Sequence, residues 1–286
     1  MGYKYMSNQP PIEVPQGAIR LNTDSQKLEF YAQDRWYEMA TDVPTVDGGE
    51  RAVCAGGSAP SLVDIIDFAS IATAGNFADF GDLTFNSGSP ASNTCASRTR
   101  GIIAGSTNAI NFITIATTGS AQDFGDTTYS ASQAQACSNQ TRGVFGGGYS
   151  PQPSIVNTIN FITIATEGDA LDFGDLIDDT RGAASYASPT RGVIHAGRFS
   201  NPIGLTNVIQ FLQIATEGNT QDFGDAITAR DFVSGASNAT RGVAAGGRIP
   251  DSSTLMDFTT IATTGNATGF GDLREENDEG SGAQIN

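Results

Sequence analysis

The chain is poor in the residues on which most catalytic and metal-binding chemistry depends. It has one histidine, His195. A lone histidine in a strand is normally packed or hydrogen-bonded, and a histidine metal site needs partners that are missing around it. There are three cysteines, Cys54, Cys95 and Cys137. Three cannot all pair within one chain, and none lies in a CxxC, so free and mostly packed thiols are expected. Lysine occurs only at Lys4 and Lys27, and 31 acidic residues outweigh 15 basic ones to give a net charge of −16. Such a surface repels phosphate backbones and disfavours nucleic-acid binding. No apolar run is long enough to cross a bilayer. The opening "MGYKYMSNQPP" lacks the apolar segment of a signal peptide, so the expectation is a soluble chain made in a cytoplasm without a membrane partner. No "DxDxDG"-type spacing for calcium is present. The expected cofactor and metal content is therefore none.

What the chain does hold is glycine, threonine, isoleucine, valine and phenylalanine. Glycine reaches 34 copies without a collagen-like period, and only 16% of residues are charged. That composition fits a turn-rich all-β protein, and nothing reads as a long amphipathic helix. An internal repeat organises it. "FGD" recurs at Phe80, Phe124, Phe173, Phe223 and Phe270. A second phenylalanine stands 12 residues before each, at Phe68, Phe112, Phe161, Phe211 and Phe258. Isoleucine follows three residues later (Ile71, Ile115, Ile164, Ile214, Ile261), then Ala-Thr and a glycine. Upstream, an arginine marks each unit: Arg51, Arg100, Arg142, Arg191 and Arg241, the last four within "TRG". Cys95 and Cys137 sit five residues before the arginine, in a slot that Tyr186 and Ala236 fill later, which marks them as packing variants.

Each unit of about 47 residues reads as four short strands. In the third copy these are "RGVFGG", the alternating "NTINFITIAT", "ALDFGDL" and the small-residue "GAASYAS". A tetrad of strands at this period is the pattern of a propeller blade. "RGVFGGG", Phe161 and Phe173, with their counterparts, resemble the kelch repeat, an apolar run ending in a glycine pair followed by two spaced aromatics. The resemblance spans residues 50–286 and implies a five-bladed, kelch-like β-propeller. It departs from the family in having Phe at both aromatic positions, a longer spacing between them, and single glycines at Gly105 and Gly197. The end of the chain, "SGAQIN", falls in register with "SGASNA" of the preceding unit, so it is expected to supply the missing strand of blade one and remove an open edge.

Residues 1–45 differ. "MGYKYMSNQPPIEVPQG" reads as an extended arm. A small β-meander follows: strands Ala18–Asn22, Leu28–Ala32 and Trp36–Met39, with turns at Thr23–Gln26 and Gln33–Arg35. So small a meander needs a partner surface. Ile19, Leu21, Phe30 and Trp36 are its attachment candidates. "GAIRLNTDSQKLEFYAQDRWYEM" resembles a short module of bacteriophage tail-fibre and other virion appendage proteins. This implies a virion protein whose residues 1–45 attach to other virion proteins, with residues 46–286 forming the propeller.

"DFG" is also a kinase magnesium motif, but no nucleotide loop, strand lysine or "HRD" accompanies it, and a catalytic motif should not recur in phase. A propeller glycosidase would need acids that converge on the axis. The symmetry-breaking acids, Asp178, Asp179 and the run Glu275, Glu276, Asp278, Glu279, fall in expected turns or the terminal segment. The chain is therefore read as a non-enzyme, with a carbohydrate-active enzyme as the alternative. The repeated Arg51, Arg100, Arg142, Arg191 and Arg241 are expected to fork onto a carboxylate or turn carbonyls and tie neighbouring blades, with the repeated Asp82, Asp126, Asp175, Asp225 and Asp272 as carboxylates to watch. Segments after the glycine-rich strand vary in length. They should emerge on one face, and Tyr149, Arg198, Phe199 and Arg248 are its candidate contacts. The expected function is a structural protein of a phage particle, located in the virion, that binds host surface glycan or a virion neighbour, as a homo-oligomer.

Overall fold

The structure is a computed structural model. It describes residues 14–22, 27–38, 51–58, 60–87, 93–105, 107–130, 132–150, 154–200, 203–249 and 251–277. The chain divides into two compact units, Met1–Thr45 and Val46–Asn286. The fold is all-β: the described residues form six antiparallel sheets and contain no helix.

The first unit is a three-stranded meander of Ile19–Asn22, Lys27–Ala32 and Arg35–Glu38. Gln33 and Asp34, both at positive φ (49° and 60°), make the two-residue turn whose twist suits a hairpin. Pairing puts Ile19, Phe30 and Tyr37 side by side, with Leu21 beside Leu28. Ile19 and Leu21 are more than half exposed. The opposite face carries the Arg20–Glu29 ion pair (2.7 Å), with the Arg20 guanidinium 4.1 Å above the Trp36 ring. Trp36 therefore does not share a patch with Ile19, Leu21 and Phe30, because strand neighbours alternate between faces. The expected arm over residues 1–13 and the turn at 23–26 lie outside the described residues.

The second unit holds five sheets, one per sequence repeat. Repeat one has strands Arg51–Ser58, Leu62–Ser70 and Ala78–Ser87. Repeat two has Thr94–Ala96, Arg100–Ala104, Ala109–Thr114 and Gln122–Asp126. Repeat three has Gln135–Ser138, Arg142–Gly146, Thr158–Thr163 and Leu171–Asp175. Repeat four has Ala184–Ala187, Arg191–Ser200, Ile203–Gln213 and Gln221–Asp225. Repeat five has Ser234–Ser237, Arg241–Ala245, Asp251–Thr260 and Thr268–Asn277, with the short Arg248–Ile249 beside its third strand. Among the described residues repeat one shows no counterpart of the small-residue strand that opens the others. The tail "SGAQIN", expected to supply it, lies outside the described residues.

The repeated residues have one job in all five sheets. The FGD phenylalanine sits on a β-bulge, which turns its ring edge-on to the first phenylalanine at 5.7–6.0 Å. The repeat arginine lies 4.3–4.6 Å over that first ring. Its guanidinium then crosses to the next repeat. Arg51 donates to the carbonyl of Ile115, Arg100 to Ile164, Arg142 to Ile214 and Arg191 to Ile261, at 2.8–3.3 Å. The arginine tie thus runs to turn carbonyls, and at two junctions also to a carboxylate: Arg100 reaches Glu167 at 3.4 Å and Arg142 reaches Glu217 at 3.3 Å. The FGD aspartate side chains are not its partners, since their place on the bulged strand holds them away. Their backbone matters instead: the Phe80, Phe124, Phe173 and Phe223 carbonyls accept from Gly119, Gly168, Gly218 and Gly265 of the next repeat at 2.7–2.8 Å.

Those junctions also explain the glycines. A side chain at Gly125, where φ is +142°, would stand 2.5 Å from the Gly168 backbone of the next repeat. In "TRG", a Cβ at Gly143 would meet the Cys95 Sγ at 2.5 Å, and one at Gly192 the Cys137 Sγ at 2.4 Å. The cysteine slot of one repeat therefore packs into the TRG glycine of the next. Cys95 and Cys137 are buried free thiols and Cys54 is an exposed one. Burial pushes the Cys95 thiol far up and the Cys137 thiol up to about 12.

Candidate functional site

Three turns carry the cluster of greatest chemical interest. Each precedes the small-residue strand of its repeat, and Gln133, Gly182 and Phe232 hold equivalent positive-φ places in them (59°, 58° and 55°). The turns stack: Gly182 donates to the Gln133 carbonyl (3.2 Å) and Phe232 to the Gly182 carbonyl (2.7 Å). Each also bridges to the residue that starts a variable segment, Ser132 to Tyr149, Arg181 to Arg198 and Asp231 to Arg248. The backbone thus brings together side chains about 50 residues apart in the chain.

Around this ladder the Arg181 guanidinium lies over the rings of Tyr149 (4.6 Å) and Phe232 (5.3 Å), and Arg248 lies over Phe232 at 4.6 Å. Arg198 Nε donates to Asp231 Oδ2 at 2.7 Å, and Arg181 stands 3.9 Å from the same oxygen. Arg181 also donates to Gln133 Oε1 at 2.7 Å. Asp231 and Arg181 are buried, whereas Tyr149, Arg198 and Arg248 are half-buried. Burial lowers the Arg181 pKa; Tyr149 and Asp231 oppose that shift. Two buried atoms here, Arg181 Nε and Asp231 Oδ1, have no hydrogen-bond partner. Tyr149, Arg198 and Arg248, picked out from the variable segments, therefore converge. Phe199 sits one residue further along its strand, opposite Gly204. Arg181, Asp231 and Phe232 complete the cluster without having been singled out from sequence. Their one signal was their position, charged or aromatic residues outside the repeat consensus.

A second polar cluster lies between repeats four and five and is closed to solvent. Tyr186 Oη is 3.0 Å from His195 Nδ1 and 2.8 Å from Thr259 Oγ1. His195 Nε2 stands 3.3 Å from Asp257 Oδ1, off-line for a hydrogen bond. Arg230 pairs with the same Asp257 oxygen and donates to the Leu255 carbonyl at 2.8 Å. Arg230, His195, Tyr186 and Asp257 are all fully buried. Burial lowers the His195 pKa against the pull of Asp257. Asp257 is held below the usual carboxylate range because His195 and Arg230 outweigh the opposing effect of burial. This cluster joins two repeats and presents no surface to a ligand.

No family model matches the chain, and no curated protein matches it. The best-formed cavity among the described residues measures about 10 Å³, lined by Asn93, Tyr129, Phe145 and Asn160, which is room for one water. No group of three or more His, Cys, Asp or Glu suited to a metal occurs among the described residues. No helix long and apolar enough to cross a membrane occurs among the described residues.

Proposed function

We propose that this chain is a structural component of a bacteriophage particle, a tail fibre, collar or other appendage, that binds host surface glycan through the face carrying Tyr149, Arg198 and Arg248. The observation that carries the reading is the convergence of these three side chains, from three different repeats, on one ladder of stacked turns. Aromatic faces beside arginine forks suit the apolar faces, hydroxyls and carboxylates of sugars. Constant repeats that carry variable loops are how binding scaffolds diversify. Within the same proposal the five sheets are kelch-like propeller blades, and each chain contributes five of them. Four-stranded sheets with a paired-phenylalanine core and glycine contacts between neighbours support it. Residues 1–45 attach to other virion proteins, which the exposed Ile19, Leu21 and Phe30 face favours.

The test is retention of the full chain on host cells and on their extracted polysaccharide, beside Tyr149→Ala and Arg248→Ala variants. Retention that survives washing, leaves the polysaccharide uncut and weakens at least tenfold in each variant is the expected result. Cleavage of the polysaccharide would replace this reading with the carbohydrate-active enzyme. Retention only on phage particles would move the binding face to a virion neighbour. Attachment falls if, in a map of the intact particle, residues 14–38 touch no other chain.

A further inference from the structure

The four junctions between successive repeats are copies of one interface, and each of its two halves is left over once. The forward half consists of the repeat arginine, the FGD carbonyls and the residue two after the FGD aspartate. The backward half consists of the isoleucine carbonyl, the following glycine and its two successors, and the residue before the first phenylalanine. At the inner junctions every element is matched. Besides the arginine and glycine bonds, the Asp82, Asp126, Asp175 and Asp225 carbonyls accept from Ala121, Ala170, Thr220 and Ala267 at 2.8–2.9 Å. Their N–H groups donate to the side chains of Ser120, Asp169, Asn219 and Asn266. The N–H groups of Thr84, Thr128, Ile177 and Ile227 donate to Asn111, Asn160, Gln210 and Asp257.

Repeat five holds an unmatched forward half and repeat one an unmatched backward half. Ile71 is 68% exposed, while its counterparts Ile115, Ile164, Ile214 and Ile261 are at most 8% exposed. Phe270 is 49% exposed against 2–3% for Phe80, Phe124, Phe173 and Phe223. Phe77, in the slot of Ala121 and Ala170, is half exposed. A Cβ at Gly271 would meet nothing within 4 Å, whereas each inner FGD glycine abuts the next repeat. Among the described residues none of the junction bonds is repeated between repeats five and one. The inner junctions share one set of bonds throughout, with glycine bonds of 2.7–2.8 Å.

We propose that repeat five of one copy docks on repeat one of a second copy, which continues the array head to tail. The bonds follow from the inner junctions. Arg241 donates to the Ile71 carbonyl, Gly75 to Phe270, and Phe77 to Asp272. The Asp272 N–H donates to the Asn76 side chain, and the Arg274 N–H to Asp67. This last slot is neutral at one end or both in the inner junctions, but here it sets a cation opposite an anion, a pairing that selects the terminal halves for each other. The exposed Ile71, Phe77 and Phe270 supply the apolar burial. Such a contact joins unlike surfaces, so it closes a ring of two or more copies or runs on as a filament. This assembly is independent of what the loop face binds.

The experiment measures the mass of the full chain in solution over a range of concentrations, by sedimentation. Three forms are compared: wild type, Ile71→Asp to block the backward half, and Arg241→Ala with Arg274→Glu to block the forward half. Ile71, Arg241 and Arg274 are exposed, and unchanged circular dichroism and melting confirm that the variants fold. Wild type should associate, as a ring of two or more copies or as a longer array. Each variant alone should remain a monomer, and an equal mixture of the two should form a dimer and stop there, because each supplies one intact half. A wild type that stays monomeric at every concentration overturns the proposal and leaves the two halves to meet within one chain, as a five-bladed ring. Variants that still self-associate alone also overturn it, and assign association to another surface such as the Ile19, Leu21 and Phe30 face.

Discussion

At the residue scale, the tightest constraints are where one repeat's side chain occupies space that its neighbour vacates. Gly143→Ala would press a methyl group into the Cys95 sulfur. It should cost about 1–3 kcal/mol in urea unfolding, and combining it with Cys95→Ala should recover most of that, a coupling absent between distant sites. The same burial governs thiol chemistry: Cys54 should react with a disulfide reagent in the native chain, while Cys95 and Cys137 should react only on unfolding. Asp257→Ala would leave Arg230 buried without its carboxylate and should cost about 3–5 kcal/mol. His195 carries the pH dependence. Its folded pKa is lowered, so below about pH 6.5 the unfolded chain takes up a proton that the folded chain resists. Stability is then full above that pH and declines below it, with a slope approaching about 1.4 kcal/mol per pH unit. It is the only histidine, so His195→Ala should flatten the urea-midpoint profile between about pH 8 and about pH 5. Alanine is what repeats one, two and five carry there, at Ala55, Ala104 and Ala245.

At the element scale, the recurrent "DFGD" is a bulged strand whose four residues differ widely in importance. The phenylalanine fills the core, and the glycine permits both positive φ and contact with the next repeat. Each aspartate side chain is secondary to its backbone. Gly125→Ala should therefore destabilise by more than about 3 kcal/mol, since it meets strain and a backbone clash at once. Asp123→Ala should stay within about 0.5 kcal/mol, in keeping with Gly269 at that place in repeat five. Chemical denaturation of the two variants side by side decides this. The strands themselves were legible, because phenylalanine, isoleucine and glycine recur in phase and alternate with polar residues. The arginine's acceptor was legible only as a choice between carboxylate and carbonyl. Spacing identifies the donor, but only the packing of one repeat on the next shows that Arg100 and Arg142 take both a carbonyl and a glutamate.

At the scale of the whole molecule, a repeat array is stabilised by contacts between neighbours, so its ends are weakest. In dilute solution, amide exchange should be slowest in Arg142–Gly146 and Ile203–Gln213. It should be fastest in Ala78–Ser87 and Thr268–Asn277, whose repeats are covered on one side only. Peptide-resolved exchange by mass spectrometry tests this. Equal protection across all five repeats would mean that the terminal halves are covered.

The sequence by itself determined the repeat phase, the four-strand reading, the paired phenylalanines, and the cysteines as packing residues, because side-chain period and turn chemistry are local properties. It also pointed to Tyr149, Arg198 and Arg248, since they interrupt a regular pattern. Only the tertiary structure decided what those residues meet. Arg181, Asp231 and Phe232 join them through stacked turns, and Arg230 finds Asp257 27 residues away. Such pairings depend on how one sheet sits on the next, which no periodicity within a strand encodes. The two unmatched halves are the same kind of property. Ile71 and Phe270 carry the same letters as their buried counterparts, and only the packing of neighbours distinguishes them.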